Sequence, residues 1–126
     1  MHGLGLTTVK IANVYDKNAL KNVLLQLVEN DYDYNGENGL KYVSDEAKAK
    51  GYESEAEYSA DFFIKEFLSD DKYKDYEDDK RIKLTIENYI DDWFRSDTSY
   101  YALHDYTITF IGERGCVISV AYYYEC

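Results

Sequence analysis

YTITFIGERGCVISVAYYY, running from Tyr106 to Tyr124, decides the fold. Two segments rich in β-branched and aromatic residues, YTITFI and CVISVAYYY, flank Gly112-Glu113-Arg114-Gly115. Alternation with period two sends successive side chains to opposite faces, and a glycine-bounded tetrad supplies a tight turn, so the stretch predicts an antiparallel hairpin. The other segment of this character lies at the opposite end of the chain. LTTVKIANVY, Leu6 to Tyr15, places Val9, Ile11 and Tyr15 on one face and Thr8, Lys10 and Ala12 on the other, which predicts a strand.

Between these strands the period changes to that of helices. Asp16 is placed to cap a helix through about Asn30, whose Leu20, Val23, Leu24, Leu27 and Val28 recur at three- and four-residue spacing. Asp31 to Val43, DYDYNGENGLKYV, holds Asn35-Gly36 and Asn38-Gly39, pairs that favour positive φ and predict a loop or irregular hairpin. Ser44 opens a short helical turn that Gly51 closes, and Ser54 with Glu57 forms a capping-box signature for a helix to about Leu68. On that helix Ala56, Ala60, Phe63 and Phe67 line one side, Tyr58, Phe62 and Ile64 widen the apolar face, and Glu53, Glu57 and Asp61 form the opposite stripe. Ser69 to Lys80 has no apolar period and reads as an exposed loop. Asp78 or Asp79 is the expected cap of a last helix, with Ile82, Ile86, Tyr89, Ile90, Trp93 and Phe94 on one face and Glu87, Asp91 and Asp92 elsewhere.

The order β-α-(β)-α-α-α-β-β predicts one α+β domain over residues 1–126. A small antiparallel sheet, made of the N-terminal strand and the C-terminal hairpin, is covered on one face by three to four helices. Length and composition agree with this. A chain of 126 residues buries well over half its unfolded surface in one core, and an apolar fraction of 45% with 17% aromatics argues against disorder despite the charge. The chain has no run of 18 apolar residues, so no membrane partner is expected, and no basic, apolar, small-residue leader, so a cytoplasmic protein is expected. Cys116 sits in a strand pattern and Cys126 ends the chain, which does not read as a disulfide framework. The lack of proline and the preference for Lys, Asn, Tyr and Ile point to AT-rich coding DNA, as in low-GC bacteria and their mobile elements.

Charge is the feature that bears on function. Glu29 to Lys80 carries seventeen acids against seven lysines, whereas the rest of the chain is nearly balanced within a total of −11. Such a field attracts cationic partners and excludes direct binding to nucleic acid, which needs clustered lysine and arginine. Fifteen tyrosines, each a large ring with a polar tip, are divided in this reading between core and contact surface.

Motifs of catalysis are scarce. Asp31-Tyr32-Asp33-Tyr34-Asn35-Gly36 resembles the opening of an EF-hand calcium loop, but the twelfth position is Tyr42 instead of the bidentate glutamate and the eighth is Asn38. Glu37 or Asp45 would have to substitute. His2 and His104 are far apart in sequence and the cysteines lack close pairing, so no zinc site and no cofactor is expected. His104 and Asp105 are adjacent, which on a regular strand turns them to opposite faces and argues for a strand-edge histidine over a catalytic pair. With no phosphate-binding glycine loop, nucleophile elbow or H-E-x-x-H, the expectation is a protein that is not an enzyme.

The acids themselves are then the candidate site. Glu53, Glu57 and Asp61 recur every fourth residue, about 6 Å apart along a helix axis, a spacing of the same order as the phosphate repeat of a nucleic-acid strand. Asp70, Asp71, Asp75, Glu77, Asp78 and Asp79, with Tyr73 and Tyr76 between them, extend the row and add aromatic anchors. Lys72, Lys74 and Lys80 reduce it. The reading ranked first is a non-enzymatic, nucleic-acid-mimicking inhibitor that blocks the basic groove of a nuclease or other nucleic-acid-binding enzyme. Phages and mobile elements carry such proteins against restriction and CRISPR nucleases. Second is an immunity or antitoxin protein that neutralises a cationic toxin, and third a calcium- or small-ligand-binding module. A homodimer through an exposed edge at Tyr122 to Tyr124 is a further expectation.

Overall fold

The computed structural model describes residues 2–29, 43–95 and 101–125. Strand β1 (His2–Ile11) leads into α1 (Lys17–Val28), followed by α2 (Asp45–Ala49) and α3 (Glu55–Ile64). A π-helical turn (Lys65–Ser69) and a 3-10 turn (Asp71–Tyr73) precede α4 (Asp78–Phe94), and β2 (Tyr101–Ile111) and β3 (Gly115–Glu125) form the hairpin. The sheet order is β1-β3-β2 with both neighbouring pairs antiparallel. This is the α+β arrangement expected from the sequence. The Asn-Gly pairs and the Asp31–Gly36 segment lie outside the described residues.

Local chemistry starts each helix. The Asp16 side chain accepts from the Asn18 and Ala19 amides, Ser44 from Ala47, and Ser54 from Glu57, each satisfying donors that a helix N-terminus leaves free. After α2 the backbone turns at Gly51, whose φ of 87° suits a residue without Cβ. The last helix differs from expectation. Its cap is Glu77, which makes no side-chain capping bond, and Asp78 and Asp79 occupy the first turn, where the helix dipole favours acids.

Leu20, Val23, Leu24, Leu27 and Val28 of α1 and Ile82, Ile86, Tyr89, Ile90, Trp93 and Phe94 of α4 are all buried. They meet Val9, Ile11, Cys116, Ile118 and Val120 from the covered face of the sheet. Removing such aliphatic side chains from water stabilises by about 1.5–3 kcal/mol each, which makes this layer the core. Among the described residues no helix lies on the other face of the sheet: Leu4, Leu6, Thr8, Lys10, Thr107, Thr109, Ile111 and Tyr123 are exposed. Among its described side chains only Lys10 and Asp105 are formally charged.

Three details of the sheet depart from the sequence reading. First, β1 begins at His2 and ends at Ile11. The chain then turns so that Val14 is buried, its amide donating to the Arg114 carbonyl at 2.8 Å, while Tyr15 lies off the strand and exposed. Second, β3 is the central strand, so Tyr122 to Tyr124 do not form a free edge; the free edges are β1 and β2. Third, the register slips between Leu103 and Asp105, a bulge that leaves both His104 and Asp105 on the exposed side.

The early start of β1 has a tertiary cause. Gly5 pairs with Tyr122 and Gly3 with Tyr124, and a Cβ built on either glycine would lie 2.5 Å or 2.3 Å from the facing ring. Tyr122 in turn stacks on Tyr101 at 4.5 Å and on Phe94 at 6.0 Å. The glycines are the floor on which this tyrosine stack lies.

Candidate functional site

The acids proposed from the sequence fall into two groups. Glu53 precedes the Ser54 cap and so stands off the helix, whereas Glu57 and Asp61 are one turn apart on α3. Asp61 is not a free charge. Packing of α3 against α1 brings Lys21 to 3.1 Å of one carboxylate oxygen, and the Tyr52 hydroxyl donates to the other at 2.6 Å. The three-membered row therefore shortens to a pair, one member of which is already partnered, because the partner comes from a helix forty residues earlier.

The second group survives intact. Asp70, Asp71, Asp75, Glu77, Asp78 and Asp79 are all exposed, and among the described residues none of them makes an ion pair; the pairs found there are Lys21–Asp61, Lys50–Glu46 and Arg95–Asp91. Their segment is nonetheless fixed. Phe63, Phe67, Tyr73 and Tyr76 form a chain of ring contacts with centroid separations of 6.5, 4.9 and 5.3 Å, running from the core side of α3 out into the loop. The widened π turn exposes carbonyls that ordinary α spacing would satisfy, and Arg81 Nε donates to that of Phe67 at 2.7 Å. Lys17 Nζ donates to Ser69 Oγ at 2.9 Å, and Asp70 accepts from the Lys72 amide at 2.9 Å.

Tyr73 and Tyr76 are less open than the sequence reading supposes. The Lys72 ammonium lies 5.2 Å from the Tyr73 ring centre and the Lys80 ammonium 4.6 Å from that of Tyr76, so the chain's own cations cover faces that a partner would use. Nearby Tyr73 holds the Lys72 ammonium above the usual lysine range through a hydrogen bond, with Glu66 and Asp70 adding to it.

Hydroxyls, more than ammoniums, orient the acids. Tyr15 donates to Asp79, Tyr52 to Asp61 and Tyr106 to Glu87. A neutral donor fixes a carboxylate without cancelling its charge. The reciprocal effect on the phenols is large. Hydrogen bonding to the carboxylate pushes Tyr15 and Tyr52 up to about 12, and desolvation followed by the Glu87 bond does the same to Tyr106. This gives part of the tyrosine richness a role: acids are held in place while the negative field persists.

The residues with catalytic potential are engaged elsewhere. His104 Nδ1 lies 2.9 Å from the Tyr123 hydroxyl on edge strand β2, and the Asp105 carboxylate accepts from the Tyr106 amide at 2.8 Å, so the two neighbours do not pair with each other. Cys116 is free and buried, and burial pushes its thiol up, away from the reactive thiolate. Among the described residues no group of three His, Cys, Asp or Glu is disposed to hold a metal, and no helix is long and apolar enough to cross a membrane.

Sequence reasoning missed one region. Phe62, assigned to the apolar face of α3, is 50% exposed. It borders a cleft of about 220 Å3 between α2, α3 and α4 together with Glu46, Glu55, Tyr58, Phe63 and Asp92. The i,i+4 spacing of Tyr58 and Phe62 carries the signal for the ridge, but Asp92 arrives from a helix thirty residues later and has no local signature.

The chain matches no protein-family model, and comparison with curated proteins and with solved structures likewise finds no similar protein or fold.

Proposed function

We propose that this protein is a non-enzymatic inhibitor that inserts its acidic surface, centred on Asp70 to Asp79, into the basic groove of a nucleic-acid-binding enzyme. The observation that carries the reading is a segment of exposed carboxylates, without ion pairs among the described residues, that is tied to the core by ring contacts and side-chain hydrogen bonds. A fixed array binds with less ordering cost than a mobile acidic tail, and its charge steers encounter with a cationic groove. Glu57 and, in part, Asp61 continue the array along α3.

The test is capture on immobilised protein from a lysate of a low-GC bacterium, followed by elution with duplex DNA. Proteins that bind nucleic acid, are released by DNA and lose affinity steeply from about 50 to about 500 mM salt support the proposal. Binding that is indifferent to both salt and DNA overturns it.

A further inference from the structure

The cleft beside Phe62 lies outside the acidic loop and lacks the cations that cover Tyr73 and Tyr76. Its wall combines three carboxylates, Glu46, Glu55 and Asp92, with three rings, Tyr58, Phe62 and Phe63, and no lysine or arginine among the described residues lines it. Phe62 and Phe63 meet edge to face at 5.2 Å, which sets one ring upright in the wall. Glu55 is held by the Ser44 amide at 2.9 Å. Asp92 accepts one hydroxyl bond, from Ser59 at 3.3 Å. Desolvation raises the Asp92 carboxyl from its ordinary range, with the Ser59 bond opposing and the Glu55 charge adding to the rise; among the described residues this solvent-facing carboxylate has no counter-charge.

The neighbouring ring shows what this wall accepts. Lys50 pairs with Glu46 at 3.5 Å and donates to the Tyr58 hydroxyl at 3.4 Å, its ammonium 5.2 Å from the ring centre, so a cation is already seated between an acid and a phenol of the same helix pair. Phe62 has no such cation among the described residues. Its half-exposed ring, beside carboxylates and next to a cleft the size of one side chain, suits a planar guanidinium better than an ammonium: the guanidinium stacks on the ring and donates to two acids at once. A hydrated divalent ion is disfavoured by the three rings, since it takes oxygen ligands throughout.

We infer that this cleft receives an arginine side chain of a partner protein, stacked on Phe62 and bonded to Glu55 and Asp92. The inference deepens the proposed function by naming a contact of the cationic partner, and it rests on that reading for the partner's charge. It adds an aromatic anchor that the acidic loop does not offer, in the manner of interface residues that carry most of the binding energy.

The experiment titrates the isotope-labelled full chain with blocked Gly-Arg-Gly, Gly-Lys-Gly and Gly-Leu-Gly peptides and follows backbone amide shifts. Expected are saturable shifts at Tyr58, Ser59, Phe62 and Asp92 with the arginine peptide, several-fold weaker binding of the lysine peptide and none of the leucine peptide. Phe62→Ala and Asp92→Asn each weaken the arginine peptide several-fold, whereas Glu113→Gln at the exposed hairpin tip leaves it unchanged. Shifts confined to Asp70–Asp79, or an Asp92→Asn protein with an unaltered spectrum fold that binds as well as the parent, overturn the inference. No nucleic-acid-binding protein enters this titration, so its outcome and that of the DNA-elution capture fail or succeed separately.

Discussion

Replacing Gly5 with alanine tests whether the tyrosine stack is built on the glycines of β1. The added Cβ would stand 2.5 Å from Tyr122 Cε2, well inside ordinary contact, so the ring must move by about 1 Å to reach normal packing distance. Tyr122 cannot swing away freely, because Tyr101 stacks on it at 4.5 Å and Phe94 lies at 6.0 Å. Displacing the ring costs about 0.5–1.5 kcal/mol in rotamer strain and about 0.5–1.5 kcal/mol in lost stacking. Against this, alanine in a strand gains roughly 0.5–1 kcal/mol over glycine by restricting the unfolded chain. The net expectation is a loss of about 1 kcal/mol, or about 3–5 °C in melting temperature for a domain of this size. Thermal and urea unfolding followed by circular dichroism provide the assay. The decisive arm is the same substitution in a Tyr122→Leu background, where the shorter side chain leaves room and Gly5→Ala should become stabilising. A Gly5→Ala effect of the same sign and size in both backgrounds would falsify the packing argument.

Other expectations follow from the capping and charge pattern. Asp16→Ala removes the acceptor for the Asn18 and Ala19 amides and should lower unfolding free energy by about 1 kcal/mol, read from the urea midpoint. Asp61→Asn takes the carboxylate from Tyr52, so the Tyr52 phenol should fall from about 12 toward its ordinary 10, visible as earlier tyrosinate absorbance in an alkaline titration. Because Tyr15, Tyr52 and Tyr106 all titrate higher folded than unfolded, their contribution is complete below about pH 10 and lost as pH rises through about 12. The urea midpoint should fall across that window, and it should fall less in a protein carrying Asp61→Asn and Glu87→Gln.

Much of the framework was legible because the signals are local. The apolar spacing of α1 and α4 and the oxygen-bearing caps Asp16, Ser44 and Ser54 act within a few residues, and the structure uses them as the sequence suggests. What escaped depends on partners distant in sequence. Gly3-Leu4-Gly5 does not read as strand, since glycine is poor in strands, and only the facing Tyr122 and Tyr124 explain it. The bulge at His104, the turn that takes Tyr15 off β1 to reach Asp79, and the pairing of Asp61 with Lys21 are likewise set by packing. In the candidate site, the exposure of the acidic loop was legible from its lack of apolar period. Its anchoring through Phe67, and the lysines lying over its tyrosines, were not.

The sheet face that no described helix covers, almost without formal charge among its described side chains, makes the described part of the molecule electrically lopsided. In the field of a positive surface such a body experiences a torque as well as a pull, and it arrives with its helical side leading. The charge-poor sheet face at Thr107 and Thr109 is then the place to hang a dye, a tether or a chip linkage, since cargo fixed there follows the protein in, whereas the hairpin tip at Arg114 lies beside Val14 and Tyr15, close to Asp79.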